Sequence, residues 1–161
     1  MKWMMVLIIG CANLWGAIMT REVPYVLNGT YLAWDESIKG KRPGILVFHE
    51  WWGLNDFART QAKRLAQMGY IAFAPDMYGN GDTAANQAMA AKMASEVRGT
   101  PLMRERARLA LKTLLALDAV DTGKIAAIGY CFGGDARRGV PATVFPGDTA
   151  PYPESLIKNI S

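Results

Sequence analysis

Short unbroken apolar runs alternate along this chain with longer segments in which apolar residues recur every three or four positions. Ile45-Leu46-Val47-Phe48 and Tyr70-Ile71-Ala72-Phe73-Ala74 carry no charged or amide residue, as expected of strands buried on both faces of a parallel sheet. Residues 124–130, centred on Ile125-Ala126-Ala127-Ile128, read as a third core strand. Between the first two runs, Ala58, Ala62, Leu65 and Ala66 share one helical face over 55–68, and Gly69 supplies the stop. The pattern then predicts an alanine- and methionine-rich helix over 83–97. Another helix opens at Thr100-Pro101, a capping residue followed by proline at the first helical position, and Ala107, Leu111, Leu114 and Leu115 stripe its core face. Gly123 is expected to break it. Residues 25–33 are β-rich around Asn28-Gly29, a hairpin signal, and 37–44 read as a polar loop. Strands alternating with helices predict an α/β fold with a mainly parallel sheet and flanking helices. After Gly134 the pattern fails. Gly139 and Pro141 interrupt the helix that should follow, and four of the eight prolines fall in the last 21 residues, so 135–161 reads as an irregular or disordered tail.

Composition narrows the function classes. With 161 residues, 51% of them hydrophobic, the chain has room for one packed domain. Its net charge of +4 is local: Arg104, Arg106, Arg108 and Lys112 share one predicted helix, and Arg137, Arg138 and Lys158 lie in the tail. No basic stripe interleaved with aromatics and no known module accompanies it, so nucleic acid is not an expected partner. There is no P-loop or G-x-G-x-x-G for a nucleotide, and one histidine among scattered carboxylates offers no metal cluster; no cofactor is expected. The amino terminus has Lys2 ahead of the apolar run from Trp3 to Ile9, small residues between Gly10 and Ala17, and a second apolar stretch to Met19. Residues 1–20 therefore read as a secretory signal, and the protein as exported, periplasmic or envelope-associated. The run falls short of the roughly 20 apolar residues of a spanning helix. Ile8-Ile9-Gly10-Cys11 leaves lipidation of Cys11 open, and membrane anchoring through an uncleaved N-terminus is a third reading. The domain proper is expected over 21–134.

The candidate chemistry sits at strand ends. Gly129-Tyr130-Cys131-Phe132-Gly133-Gly134 follows the third strand in the pattern of a strand-to-helix nucleophile elbow, with cysteine in the nucleophile's place. Small residues two before and two after let the chain turn sharply, and the helix amides and dipole favour a thiolate and an oxyanion beside it. With Cys11 removed or lipidated, Cys131 would be the one thiol of the mature chain, leaving no intramolecular disulfide. The bland alternative is a buried, inert cysteine in a glycine-rich turn. His49-Glu50 ends the first core strand, at the sheet edge where open α/β folds bind ligands. Flanked by an apolar strand and two tryptophans, the Glu50 carboxyl would have a raised pKa and exchange a proton with Cys131; the alternative is an exposed loop carboxylate. Of Trp51 and Trp52, one is expected to line a pocket and one to cover the core. His49, the single histidine, reads as a positional residue rather than a base. Asp76 reads as a turn or cap residue.

Val47-Phe48-His49-Glu50-Trp51-Trp52-Gly53-Leu54-Asn55, Ala74-Pro75-Asp76-Met77-Tyr78-Gly79 and the elbow, in that order and spacing, resemble the dienelactone hydrolase family of α/β-hydrolases, and its exported bacterial branch, over about residues 25–134. The resemblance implies an α/β-hydrolase fold and cleavage of a small ester or lactone, often a carboxylated one, without cofactor. It implies Cys131 as nucleophile, Glu50 as partner of the resting thiol, and the backbone N–H groups of Trp51 and Phe132 as oxyanion donors. In the family an aspartate and then a histidine follow the elbow. Here no histidine follows His49, and Asp135 and Asp148 sit in sequence unlike the family's. Gly79-Asn80 stands where the founding enzymes carry a substrate-binding arginine. The expectation is a chain truncated or frame-shifted after the elbow and a weak or inactive hydrolase. The alternative is a non-catalytic exported or anchored protein whose missing strands expose an apolar edge.

Overall fold

The computed structural model describes residues 17–23, 30–138 and 140. In chain order they form β1 (Ile18–Val23), β2 (Thr30–Asp35), β3 (Arg42–Phe48), α1 (Asp56–Gln67), β4 (Ile71–Ala74), α2 (Gln87–Val97), α3 (Pro101–Leu115), β5 (Val120–Gly129) and α4 (Phe132–Arg137). The strands make one sheet in the order β1-β2-β4-β3-β5. Its core, β4-β3-β5, is parallel; β2 joins β4, and β1 joins β2, antiparallel.

Strand alternation divides the core into two layers. Leu46 and Phe48 of β3 and Phe73 of β4 pack with the apolar sides of α2, α3 and α4, including Ala94, Val97, Ala107, Leu111 and Phe132. Ile45, Val47, Ala72 and Ala74 point the other way, onto Ala58, Ala62, Leu65 and Ala66 of α1. All four α1 residues expected on that face are buried there. Asn55 caps the helix by accepting the Ala58 N–H at 3.3 Å, and Gly69 leaves it at φ +93°. A left-handed residue costs glycine least.

Several boundaries depart from the expected ones, each for a local reason. β3 starts at Arg42 rather than Ile45, because a register shift between Pro43 and Gly44 accommodates a proline that has no N–H to give the ladder. α2 starts at Gln87 rather than 83: Thr83 bridges to Gly53, the Ala84 N–H donates to the Trp52 carbonyl, and Asn86 provides the cap by accepting from Met89. Thr100 does precede α3, but its hydroxyl donates back to the Val97 carbonyl instead of capping. Gly123 does not break α3, which ends at Leu115; it lies inside β5, where its N–H donates to Asp121. The β1–β2 pairing, Val23 opposite Thr30, is that of a hairpin, while the Asn28-Gly29 turn itself lies outside the described residues. So do residues 1–16 of the expected signal, Cys11 among them, and 141–161 of the expected tail. β1 begins at Ile18, so three residues read as leader run into the sheet. Among the described residues, no helix is long and apolar enough to cross a membrane.

Candidate active site

β3 and β5 run side by side in parallel, with Val47 opposite Ile128 and Phe48 opposite Gly129. This register brings the continuations of both strands, His49-Glu50-Trp51 and Tyr130-Cys131-Phe132, to the same carboxyl edge of the sheet. The Tyr130 N–H donates to the Phe48 carbonyl at 3.1 Å and ties the two exits together. At Cys131 the chain reverses sharply. Its φ of 51° and ψ of −109° lie where a side chain is strained, and the thiol is free and exposed rather than buried. The turn closes through Gly133 N–H to Tyr130 O at 2.8 Å and Gly134 N–H to Cys131 O at 3.0 Å. Glycine is required on both sides. A Cβ on Gly129 would sit closer than 3.0 Å to the Gly133 carbonyl, and one on Gly133 equally close to the Phe48 carbonyl. α4 begins at Phe132, directly after the cysteine.

The loop after β3 is held quite differently, by its own histidine and by groups from distant sequence. His49 is fully buried. Its Nδ1 lies 2.5 Å from the Glu50 carbonyl, an acceptor, so Nδ1 carries the hydrogen. Its Nε2 in turn accepts the Met77 N–H at 3.0 Å. Burial holds the imidazole pKa below 6.5, against the opposing pull of the Glu50 carbonyl and of Asp76. Asp76 Oδ1 lies 4.0 Å from Nε2, a distance between a carboxylate and a neutral ring rather than an ion pair. The Asp76 carboxylate is buried as a turn hub, as its position suggested, accepting the Tyr78 N–H at 2.9 Å and the Gly81 N–H at 2.8 Å. The Tyr78 hydroxyl donates to the Trp51 carbonyl at 2.9 Å. Burial first, then the Asp76 and Cys131 charges, push this phenol up to about 12 against the pull of Arg98.

Three rings weld the strand exits together. His49 stacks on Phe132 at 5.7 Å and 10°, and Tyr78 tilts against both, 5.0 Å from His49 and 5.2 Å from Phe132. Trp51 packs on the α3-side core and meets Trp52 edge-on at 5.3 Å; both indoles are half-buried. Glu50 is half-buried, and its charge acts on the Tyr130 phenol, which burial pushes up to about 12. No backbone carbonyl among the described residues takes the Trp51 or Phe132 N–H. Asp135 is spent on the surface of α4, 3.4 Å from Arg98 and 3.5 Å from Arg138. The sequence pattern assigns Tyr78 no role of its own. It stands two residues after an edge aspartate, and its bond to Trp51 spans 27 residues.

The model of the dienelactone hydrolase family matches residues 29–150. Protein usf of Aquifex pyrophilus is 32% identical over 97 residues, which are 57% of this chain and 42% of that protein. Among solved structures, the one titled m3DLH is 39% identical with a TM-score of 0.74. A dienelactone hydrolase-like promiscuous phosphotriesterase from metagenomic libraries is 37% identical with a TM-score of 0.71. Each of these two matches covers 80% of this chain and 55% of the other. The chain thus spans about half, or less, of the proteins it matches.

Proposed function

The chain belongs to the dienelactone hydrolase family, whose members hydrolyse esters or lactones, and from that premise we propose that Cys131 is the nucleophile of a small-ester or lactone hydrolase site. The observation that carries this reading is the cysteine's strained, exposed geometry between two glycines that admit no Cβ. A fold holds such a conformation only where its surroundings over-determine it, and such sites cluster at active centres. In the proposed step the Cys131 thiol loses its proton to Glu50 or to solvent, and the thiolate attacks the acyl carbon. The carbonyl π pair moves to oxygen, where the Trp51 and Phe132 N–H groups receive it. Collapse of that oxyanion expels the alkoxide or phenolate and leaves a thioester on Cys131.

Deacylation needs a base to activate water. His49 is unsuited to that task, being fully buried with both ring nitrogens engaged, and the 161 residues contain no other histidine. The chain as it stands is therefore proposed to acylate once and turn over slowly; loss of triad members costs on the order of 10⁴–10⁶ in rate. Mixing with p-nitrophenyl acetate should release one equivalent of nitrophenolate and leave an acetyl group on Cys131. Cys131→Ala should remove both. Rapid multiple turnover, or a burst that survives Cys131→Ala, would overturn the reading.

Export is proposed on the strength of Lys2 and the apolar run behind it. A leader ending at or before Ala17 would leave β1 whole. N-terminal sequencing of protein recovered from an envelope fraction tests this, and an intact Met1 would count against cleavage.

A further inference from the structure

The bond from His49 to the Glu50 carbonyl reaches the site through a single peptide group. The Glu50 C=O and the Trp51 N–H are the two ends of one planar amide. A hydrogen bond accepted by the oxygen withdraws electron density from that amide and makes its N–H a stronger donor. It also fixes the plane in which the N–H points. We propose that His49 is a positioning residue for the oxyanion site, orienting and polarising the Glu50–Trp51 peptide from behind so that the Trp51 N–H donates to the acyl oxygen. This rests on the reading of Trp51 as an oxyanion donor.

Four observations support it. Nδ1 of His49 lies 2.5 Å from the Glu50 oxygen, a short contact for a nitrogen donor. The tautomer is not free to change, because Nε2 must stay unprotonated to accept the Met77 N–H at 3.0 Å. That acceptor demand is 28 residues away in the sequence and itself anchored, since the Met77 carbonyl receives Arg106 Nη1 at 2.5 Å. The ring cannot swing, being stacked on Phe132, the residue expected to carry the second oxyanion N–H. The same imidazole thus braces both donors, one by a hydrogen bond and one by ring contact. The Glu50 oxygen also accepts the Gly53 N–H, at the longer distance of 3.3 Å, and the Tyr78 hydroxyl holds the next carbonyl, that of Trp51.

Two substitutions separate the two ring nitrogens. An asparagine amide reaches the place of Nδ1, and a glutamine amide the place of Nε2. His49→Asn should keep the donor to the Glu50 carbonyl, and His49→Gln only the acceptor for Met77. Acylation of Cys131 by p-nitrophenyl acetate should fall about tenfold in His49→Gln, less than the 10²–10³ seen when an oxyanion donor is removed outright, and should largely return in His49→Asn. Alkylation of the same thiol by iodoacetamide builds no oxyanion, and it should stay within about twofold in both variants. The Trp51 amide resonance should move upfield in His49→Gln and stay near its native position in His49→Asn. Equal losses of acylation and alkylation, or equal losses in both variants, would reduce His49 to a packing residue and overturn the proposal. Should neither variant fold, the ¹⁵N shifts of the imidazole in the unaltered protein still decide: a protonated Nε2 with a bare Nδ1 overturns it. Should the unaltered chain show no acylation of Cys131, the hydrolase reading fails, while the ring tautomer and the Trp51 amide still test the brace.

Discussion

Two strand exits lie side by side at the carboxyl edge of the sheet, and they are built on opposite principles. The exit of β5 is a backbone device. Its turn closes through hydrogen bonds between residues three apart, and its shape depends on two glycines whose missing Cβ atoms let peptide groups approach within contact. The exit of β3 is a side-chain device. Its own imidazole accepts the Met77 N–H, 28 residues away in the sequence, and the Tyr78 phenol donates to its Trp51 carbonyl across 27. Strain is stored in the first, whereas the second is held by hydrogen bonds to distant residues. A nucleophile has to be exposed and rigid, which a tight backbone turn supplies. Oxyanion donors have to point at one spot, and a longer loop achieves that only if something behind it fixes each peptide plane.

The elbow should tolerate substitution least at its glycines. Gly129→Ala and Gly133→Ala each place a methyl against a backbone carbonyl that cannot move aside. The cost should lie at or above the ~3 kcal/mol upper end of overpacking, read as a fall in the urea midpoint or as failure to fold. Mild destabilisation, below about 1 kcal/mol, would mean that the elbow is looser than described.

The side-chain device should show itself through pH. His49 is held neutral in the fold with its pKa below 6.5, whereas in the unfolded chain it takes up its proton near 6.5. Between those values the unfolded state binds more protons. Stability should therefore fall as the pH drops through 6.5 and level off below the folded value, at up to about 1.4 kcal/mol per pH unit. His49→Gln should flatten this acid limb in chemical melts, and a limb that persists unchanged would assign it to other groups. The alkaline limb has the opposite sign. Tyr78 and Tyr130 stay protonated to about 12 in the fold but ionise near 10 when unfolded, so stability should decline as pH rises from 10 toward 12.

Smaller effects sharpen the contrast. Cys131→Gly should stabilise the chain by about 1 kcal/mol, the relief of a left-handed φ less the entropy of a glycine, and would register as a raised melting temperature alongside lost acylation. A drop in melting temperature would show that the thiol contributes packing that outweighs its strain. Tyr78→Phe removes the bond to the Trp51 carbonyl and should cost about 0.5 kcal/mol, the low end for a net hydrogen bond, because the phenol is only half-buried. The same variant should shrink the alkaline limb by its Tyr78 share.

Much of this molecule is legible in one dimension. The buried strands announce themselves as apolar runs, α1 by its alanine and leucine spacing between Asn55 and Gly69, and the elbow by glycines two before and two after a cysteine. These features are set mainly by sterics within a few residues, which need no partner to be read, although Gly133 also faces the Phe48 carbonyl of the neighbouring strand. Where reading failed, a distant contact had overruled the local signal. Gly123 looked like a helix breaker but serves inside β5, and 83–86 looked helical but is drawn away by Gly53 and Trp52. The same distinction governs the site. From the sequence alone come a strained elbow at Cys131 and a reading of His49 as positional rather than basic. That imidazole takes its partners from the tertiary structure. Its hydrogen-bond partners are chosen by the parallel packing of β3 against β4, which brings Met77 and Tyr78 to the loop that follows His49. A buried donor or acceptor has to be satisfied by whatever the fold delivers to it, and that delivery is not written in any short stretch of residues.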